Sequence, residues 1–340
     1  MHIDVNNAFL SWFAVWRLKN GETEDIRKIP AIIGGDESRR SGIVLAKSNL
    51  AKQFGIVTGE TIYQARKKCP NIKVFTGDYN VYKEYSNKLY NLLLEYTDKI
   101  ERYSIDECFL DMTEYLMNDS IMNKAKEIQQ RVNKELGFTV NIGLSNNKLL
   151  AKMASDFEKP NKIHTLYPNE IETKMWKLPA KDLFMLGKKT VPKLNNLQIT
   201  TIGDIAKYDI NKLIKLFGKH GKLIWEYANG IDKSEVVYKY ELPKSIGNST
   251  TLAKDVYNIE KLNEILLTLA EYVAFRLRKY NMLANVVNVG LRTNKFEDFS
   301  HQKKLDMATS NTKDIYLKAK DLLKEMYNRT SNKTSFFASR

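Results

Sequence analysis

Two adjacent acids, Asp106 and Glu107, stand between two short apolar segments, Ile100 to Ser104 and Cys108 to Met112. The pattern reads as a hairpin whose tight Ile105-Asp106-Glu107 corner carries the acids. A third acid, Asp4, lies at the end of another strand, in which Ile3 and Val5 alternate with polar neighbours. Carboxylates beside apolar strands are costly to bury unless a cation satisfies them, and Mg2+ is the usual one. Two such ions about 3.5–4 Å apart can clamp an in-line phosphoryl displacement. The competing reading is that Asp106 and Glu107 decorate a turn, and spacing alone does not separate the two.

The chain of 340 residues is too long for one core, so about two to four domains are expected. No apolar run approaches the roughly 18 residues of a membrane span. The opening Met1-His2-Ile3-Asp4 has no basic, apolar leader, so no secretion signal is expected and the reading is cytoplasmic. Cys69 and Cys108 are the only cysteines and form no CxxC pair, which fits a reducing compartment. The net charge of +14 is unevenly spread. Residues 1–166 carry 24 Lys and Arg against 21 Asp and Glu, whereas residues 167–340 carry 30 against 19. A basic C-terminal half suits a grip on a polyanion, although a lysine-rich proteome would give the same excess.

Along the chain, strands and helices alternate around what reads as a central antiparallel sheet, giving an α+β core. An amphipathic helix is expected over 80–98, a helix over Asn118 to Leu136, a strand over Phe138 to Gly143 and a helix over Asn147 to Phe157. From Tyr167 short helices follow without a clear strand until about Ser249. The pattern then becomes βαββα: a strand, a helix over about 259–280, strands over Asn285 to Arg292 and about 302–308, and a helix over about 311–327.

Three motifs carry a family resemblance. Ser104-Ile105-Asp106-Glu107-Cys108-Phe109-Leu110-Asp111 resembles the SIDE(A/C)(Y/F)LD motif of Y-family DNA polymerases. Ile3-Asp4-Val5-Asn6-Asn7-Ala8-Phe9 is similar to their first strand. Ser145-Asn146-Asn147-Lys148-Leu149-Leu150-Ala151-Lys152, followed by Ala154-Ser155-Asp156-Phe157-Glu158-Lys159-Pro160, is similar to their S-x-N-K-x-L-A-K and A-S-D-x-x-K-P segments. The likeness runs from residue 2 to about 328.

The resemblance implies an α+β right-hand polymerase. Its palm would be residues 1–11 and 76–166, small fingers 12–75, a helix-hairpin-helix thumb 167–232, a tether 233–242 and a βαββα little finger 243–340. It implies low-fidelity, translesion synthesis on primer–template DNA from deoxynucleoside triphosphates, by a monomer using two Mg2+ ions. Asp4, Asp106 and Glu107 would be catalytic and would hold the metals with the Val5 carbonyl. Lys159 would contact the triphosphate, Asn6, Asn7 and Ala8 would offer backbone N–H groups to it, and Phe9 would be the steric gate against a 2′-hydroxyl. In the fingers the family's T-x-x-Y-x-x-R positions are Ala46, Asn49 and Lys52, so those triphosphate contacts would be either weaker or rerouted through Ser48 and Lys47. Lys52 supplies charge without a bidentate fork.

In the thumb, Phe184 to Thr190 resembles a hairpin turn that meets DNA phosphates through Gly187 and Lys189, with Met185 in place of the usual first glycine. Phe217-Gly218-Lys219-His220-Gly221 resembles a second, presenting Gly218 and Gly221. Arg276 and Arg292 are the expected little-finger contacts, with Arg278, Lys244 and Lys254 beside them. A Gly-Lys turn and a solvated surface charge are the plain readings of these same residues. A sliding clamp is a candidate partner by family, although no QxxLF-like tail is seen, and Ser331 to Arg340 reads as replacing the last little-finger strand. Two other readings compete with this one. Gly34-Gly35-Asp36-Glu37 matches the start of the GGDEF signature of diguanylate cyclases, but Ser38-Arg39-Arg40 follows. A catalytically weakened DNA-binding protein keeping the polymerase fold is the alternative that the altered fingers residues leave open.

Overall fold

The protein is described by a computed structural model covering residues 1–36, 42–116, 119–239, 241–329 and 336–339. Strand β1 (His2–Val5) is the middle of five. With β5 (Ile100–Arg102), β6 (Glu107–Leu110), β7 (Val140–Leu144) and β8 (Ile163–Thr165) it forms a sheet of order β5-β6-β1-β7-β8, numbered in chain order. Flanked on both sides, β1 is buried at all four residues. Ile3 and Val5 pair with Ile142 and Val140 on one face. That face belongs to a core shared with α1 (Ala8–Lys19), α4 (Tyr79–Leu93) and α5 (Ile121–Arg131). Because side chains alternate along a strand, His2 and Asp4 are forced to the other face.

That second face is covered by α6 (Lys148–Ser155). Gly143 lets the helix come close: a Cβ there would lie 1.8 Å from the Ala151 carbonyl oxygen. The outer side of α6, with Leu149, Leu150, Met153 and Ala154, belongs to a second core built by residues 166–228. Its helices are α7 (Val191–Asn195), α8 (Ile202–Lys207), α9 (Ile210–Phe217) and α10 (Lys219–Ala228). Asn147 caps α6 by accepting the Leu150 N–H at 2.8 Å, and its amide donates to the Gly230 carbonyl at 2.9 Å.

Between α1 and α4 the chain makes a small sheet of β2 (Ala31–Gly34), β3 (Val44–Lys47) and β4 (Lys73–Thr76) in the order β3-β2-β4. Helices α2 (Asn49–Gln53) and α3 (Ile62–Lys68) lie in the same stretch. The described chain divides into two compact units. One comprises Met1–Ile33, Leu45–Thr58 and Arg66–Tyr240, the other Gly34–Val44, Gly59–Ala65 and Glu241–Arg340. Within the second, β9 (Thr250–Val256), α11 (Ile259–Lys279), β10 (Ala284–Thr293), β11 (Asp298–Thr309) and α12 (Thr312–Arg329) follow the expected βαββα order around a third core.

The structure corrects several expectations. The central sheet is mixed, since β8 runs parallel to β7. A parallel neighbour needs a crossover, which the segment containing α6 supplies, and a strand of three residues is too short to show alternation. The tail does contain a strand, β12 (Phe336–Ser339), between β10 and β9. Helix α4 stops at Leu93. α5 begins after the cap Ser120 and passes into a π-helical turn that Gly137 ends at φ 82°. Asn118 and Glu37 to Arg40 fall outside the described residues. No described helix is long and apolar enough to cross a membrane.

Glycines 187 and 221 make a stability test. A Cβ on Gly221 would lie 2.1 Å from the Leu213 carbonyl oxygen, backbone that cannot swing aside, whereas nothing lies within 4 Å of one on Gly187. Gly221→Ala is expected to destabilise by about 1–3 kcal/mol through overpacking. Gly187→Ala should stay within about 0.5 kcal/mol of the parent, as surface changes usually do. Thermal melts of the two variants check the contrast.

Candidate active site

Antiparallel pairing of β1 with β6 sets Asp4 opposite Glu107 and His2 opposite Phe109. Directly opposed side chains share a face, so both carboxylates stand on the side covered by α6. The turn into β6 holds Asp106 close by: the Val5 N–H donates to the Asp106 carbonyl at 3.1 Å. The Ser104 hydroxyl donates to Asp106 Oδ1 at 2.7 Å. Asp4, remote in sequence, is thus brought beside the adjacent Asp106 and Glu107 by one strand register.

Two lysines answer them. Lys152, only 7% exposed, donates to Glu107 Oε1 at 2.9 Å. Lys159 donates to Asp4 Oδ2 and pairs with Asp156 at 2.8 Å. Burial of Asp4 raises its carboxyl to about pKa 6, with Lys159 opposing the shift. Burial also pushes Glu107 upward, but the groups on His2 and Lys152 outweigh it and hold the carboxyl at about 2. Among the described residues, no three His, Cys, Asp or Glu side chains converge tightly enough to bind a metal as they stand. The donor set nevertheless fits a hard divalent cation. It consists of carboxylate oxygens in a site buried enough to need positive charge, met here by ammonium groups on flexible stems.

Behind the acids runs a buried amide network that sequence reasoning missed. The Asn6 amide donates to Asn141 Oδ1 at 3.0 Å, and the Asn6 oxygen accepts the Asn161 N–H at 2.8 Å. Asn141 donates to the carbonyls of Ser155 and Glu158 at 3.0 and 2.7 Å. The loop carrying Lys159 is thereby pinned to the sheet. A legible signal existed: Asn141 is the one side-chain amide in the apolar run Val140 to Leu144. A buried strand keeps such a group only if its hydrogen bonds are met.

At the start of α1, Asn7 takes a left-handed conformation (φ 52°, ψ 52°) and no side chain caps the helix. The Asn7 amide donates to the Lys47 carbonyl at 2.5 Å, joining this turn to β3. Ala8 is buried. Phe9 is half-buried and stacks on Tyr82, with centroids 4.4 Å apart and planes at 20°. The expected Asn6 backbone donor is already used, since its N–H donates to the Thr139 carbonyl at 3.0 Å.

Other expected contacts have different employment. Ser48 is 1% exposed, and its hydroxyl accepts the Ala31 and Ala51 N–H groups at 3.1 and 3.0 Å. It caps α2 and joins α2 to β2, and its burial keeps the remaining O–H donor away from a triphosphate. Ala46 is buried in β3, while Lys52 is exposed. Gly221 is a close-packing glycine rather than an open turn. Gly218 takes φ 62°, ψ −139°, a region essentially reserved for glycine. Met185 adopts φ 67° with its side chain 55% exposed, so it keeps a glycine-like conformation at a cost of about 1–2 kcal/mol. Next to it, Gly187 accepts the Thr190 N–H at 2.9 Å, and Lys189 is exposed. Arg276 donates to the Gly247 carbonyl at 2.9 Å. Arg292 spends its fork on Asp298, two bonds of 2.8 Å.

Models of the impB/mucB/samB family and its C-terminal domain match residues 3–156 and 243–336. The DNA polymerase IV of Clostridium acetobutylicum is 53% identical over 328 residues, 96% of this chain and 83% of that protein. The chain belongs to the Y-family of DNA polymerases. The DNA polymerase IV of Acetivibrio thermocellus is 35% identical, covering 98% of this chain and 82% of its own. Among solved structures, a Y-family DNA polymerase chimera of Dbh and Dpo4 superposes with TM-score 0.87 at 24% identity, over 99% of this chain and 96% of that one. DinB from Sulfolobus solfataricus reaches TM-score 0.65 at 24% identity, over 99% and 96%. The right-hand α+β fold is therefore that of the Y-family. This member is a DNA-directed DNA polymerase of the translesion type, and the silent DNA-binding alternative is not favoured.

Since the Ser48 hydroxyl is committed to the fold, Ser48→Ala should cost stability and not nucleotide affinity. A lost cap is worth about 0.5–2 kcal/mol. Melting temperature should fall while the KM for deoxynucleotide stays at the parent value.

Proposed function

We propose that the chain extends a primer 3′ end along a DNA template, with Asp4, Asp106, Glu107 and the Val5 carbonyl as the ligands of two Mg2+ ions. The observation that carries this is the β1–β6 register, which brings Asp4 and Glu107 to one buried face beside Asp106. When bound, the ions supply a lowered pKa for the 3′-hydroxyl and charge compensation for the triphosphate and departing pyrophosphate. Lys159 hands its ammonium from Asp4 to the triphosphate, and the uncapped start of α1 at Asn7 and Ala8 offers it backbone N–H groups. Exposed Lys52 adds charge from the fingers. With Ser48 withdrawn and no side chain beyond a methyl at Ala46, the fingers hold the nucleotide mainly through Lys52.

We assign residues 1–11 and 76–166 to the palm, 12–75 to the fingers, 167–232 to the thumb, 233–242 to the tether and 243–340 to the little finger. The separate core of residues 252–326 supports the little finger as a domain of its own, whereas palm and fingers residues share one core. The thumb meets DNA phosphates at Gly187, Lys189 and Gly218, and the little finger at Arg276 and Arg292, whose partners are exposed ion pairs or carbonyls that water-screened phosphates can displace.

Asp106→Ala should abolish nucleotide addition, to below about a hundredth of the parent rate, while DNA binding stays within a few-fold. Primer extension with Mg2+ and a binding titration on one preparation decide it. Extension above that level would remove Asp106 from the metal site.

Phe9 is the sugar discriminator in this reading. Its ring, held flat by Tyr82, blocks a 2′-hydroxyl without offering it a hydrogen bond. Phe9→Ala should raise the kcat/KM for ribonucleotides relative to deoxynucleotides by orders of magnitude. Loss of the stack costs about 0.5–1.5 kcal/mol beyond lost burial. A lower Tm with unaltered sugar selectivity would make Phe9 a packing residue only.

A further inference from the structure

Tyr103 follows β5 and leaves 44% of its surface open to solvent. An exposed tyrosine alone is ordinary, and what marks this one is where its neighbours come from. Glu101, two residues earlier, pairs opposite Phe109, and Phe109 pairs opposite His2. Alternation therefore brings Tyr103 to the side of the sheet that carries Glu107 and is covered by α6. The Tyr103 N–H donates to the Glu107 carbonyl at 3.0 Å, which ties its backbone to the acid pair.

The ring is held from two directions. Phe109 meets it at 80° with centroids 5.4 Å apart, and Phe184 meets it at 62° and 6.2 Å. Neither lies parallel to it. Phe184 is in turn stacked on Tyr227 of α10, with planes at 11°. The Lys152 ammonium lies 5.8 Å from the Tyr103 centroid and 5.5 Å from that of Phe184. An open aromatic ring beside a cation is the pairing with which proteins hold a nucleic-acid strand, the cation answering phosphate and the ring taking a base or sugar. Its place in the fold is specific. In the proposed function, DNA phosphates rest on the turn from Phe184 to Thr190 and the 3′ end reaches the acids. Tyr103 touches the first residue of that turn with its ring and Glu107 with its backbone. A strand held at the one and ending at the other runs past it.

We propose that Tyr103 is a primer-strand residue: its ring packs against one of the last few nucleotides before the 3′ end and so positions the 3′-hydroxyl at the acids. The inference rests on the proposed metal site and thumb contacts. The contact is neutral, so it adds affinity that salt does not screen, unlike an ammonium–phosphate contact.

The direct test uses the full chain with p-azidophenylalanine at position 103, bound to labelled primer–template and irradiated. A crosslink to the last few nucleotides of the primer is expected. A crosslink to the template strand alone, or none, would overturn the proposal. Steady-state kinetics give a second reading. Tyr103→Leu keeps apolar bulk between Phe109 and Phe184 but removes the flat ring, whereas Tyr103→Phe keeps the ring. Tyr103→Leu should raise the KM for primer–template about ten-fold and leave the KM for deoxynucleotide within about two-fold. The slope of log K against log salt should not change, because no charge is lost. Tyr103→Phe should stay within about two-fold of the parent in both KM values. A parent-like primer–template KM in Tyr103→Leu, or equal impairment in both variants, counts against the ring contact. A fall in Tm with both KM values rising together would make Tyr103 a packing residue and also end the proposal. Extension by Asp106→Ala would remove the underlying metal site, whereas an inactive Asp106→Ala variant with no primer crosslink from position 103 would remove only the role of Tyr103.

Discussion

Everything in the sheet that carries the acids depends on two carboxylates, buried Asp4 and half-buried Glu107, facing each other across β1 and β6. Moving an uncompensated carboxylate out of water costs several kcal/mol, and the sheet places Asp4 and Glu107 on a covered face. The fold meets this with positive charge from one segment, as α6 carries Lys152 and the loop after it carries Lys159. The site is therefore a charge-balanced assembly of carboxylates and ammonium groups. An ammonium on a long stem is well suited to the part, because it can withdraw without disturbing the backbone.

The packing around α6 explains how that balance is kept accurate. One side of the helix lies against Gly143, at a separation no side chain would permit, and the other side is built into the core of residues 166–228. Lys152 consequently sits between catalytic and helical parts of the same unit, its ammonium 5.5 Å from the Phe184 ring centroid as well as beside Glu107. The helical core and the sheet face that carries the acids share one element, α6. The Asn6–Asn141 network does the same for the Lys159 loop.

Much of this was legible before folding was considered. The alternation in His2 to Val5 puts Asp4 opposite the apolar side chains, and the acid pair between two apolar segments announces a hairpin corner. The βαββα order of the last hundred residues follows from periodicity alone. Less legible were β8 and β12, too short to carry a period. Ser48 reads equally well as a phosphate contact and as a helix cap, and only its burial separates them. Gly221 likewise looks like an open turn until the Leu213 carbonyl is found against it.

The sequence by itself determined the family, the three acids and the strand and helix types, because these rest on local pattern: residue period, apolar flanks and motif order. The tertiary structure decided which polar groups serve the site and which serve the fold. His2 and Asn141 are far in the chain from Lys152 and Ser155, and the four join the hydrogen-bonded cluster behind the acids only because α6 packs on Gly143. Hydrogen-bond and ion-pair partners depend on distances of an ångström or less between segments, and no local periodicity encodes those.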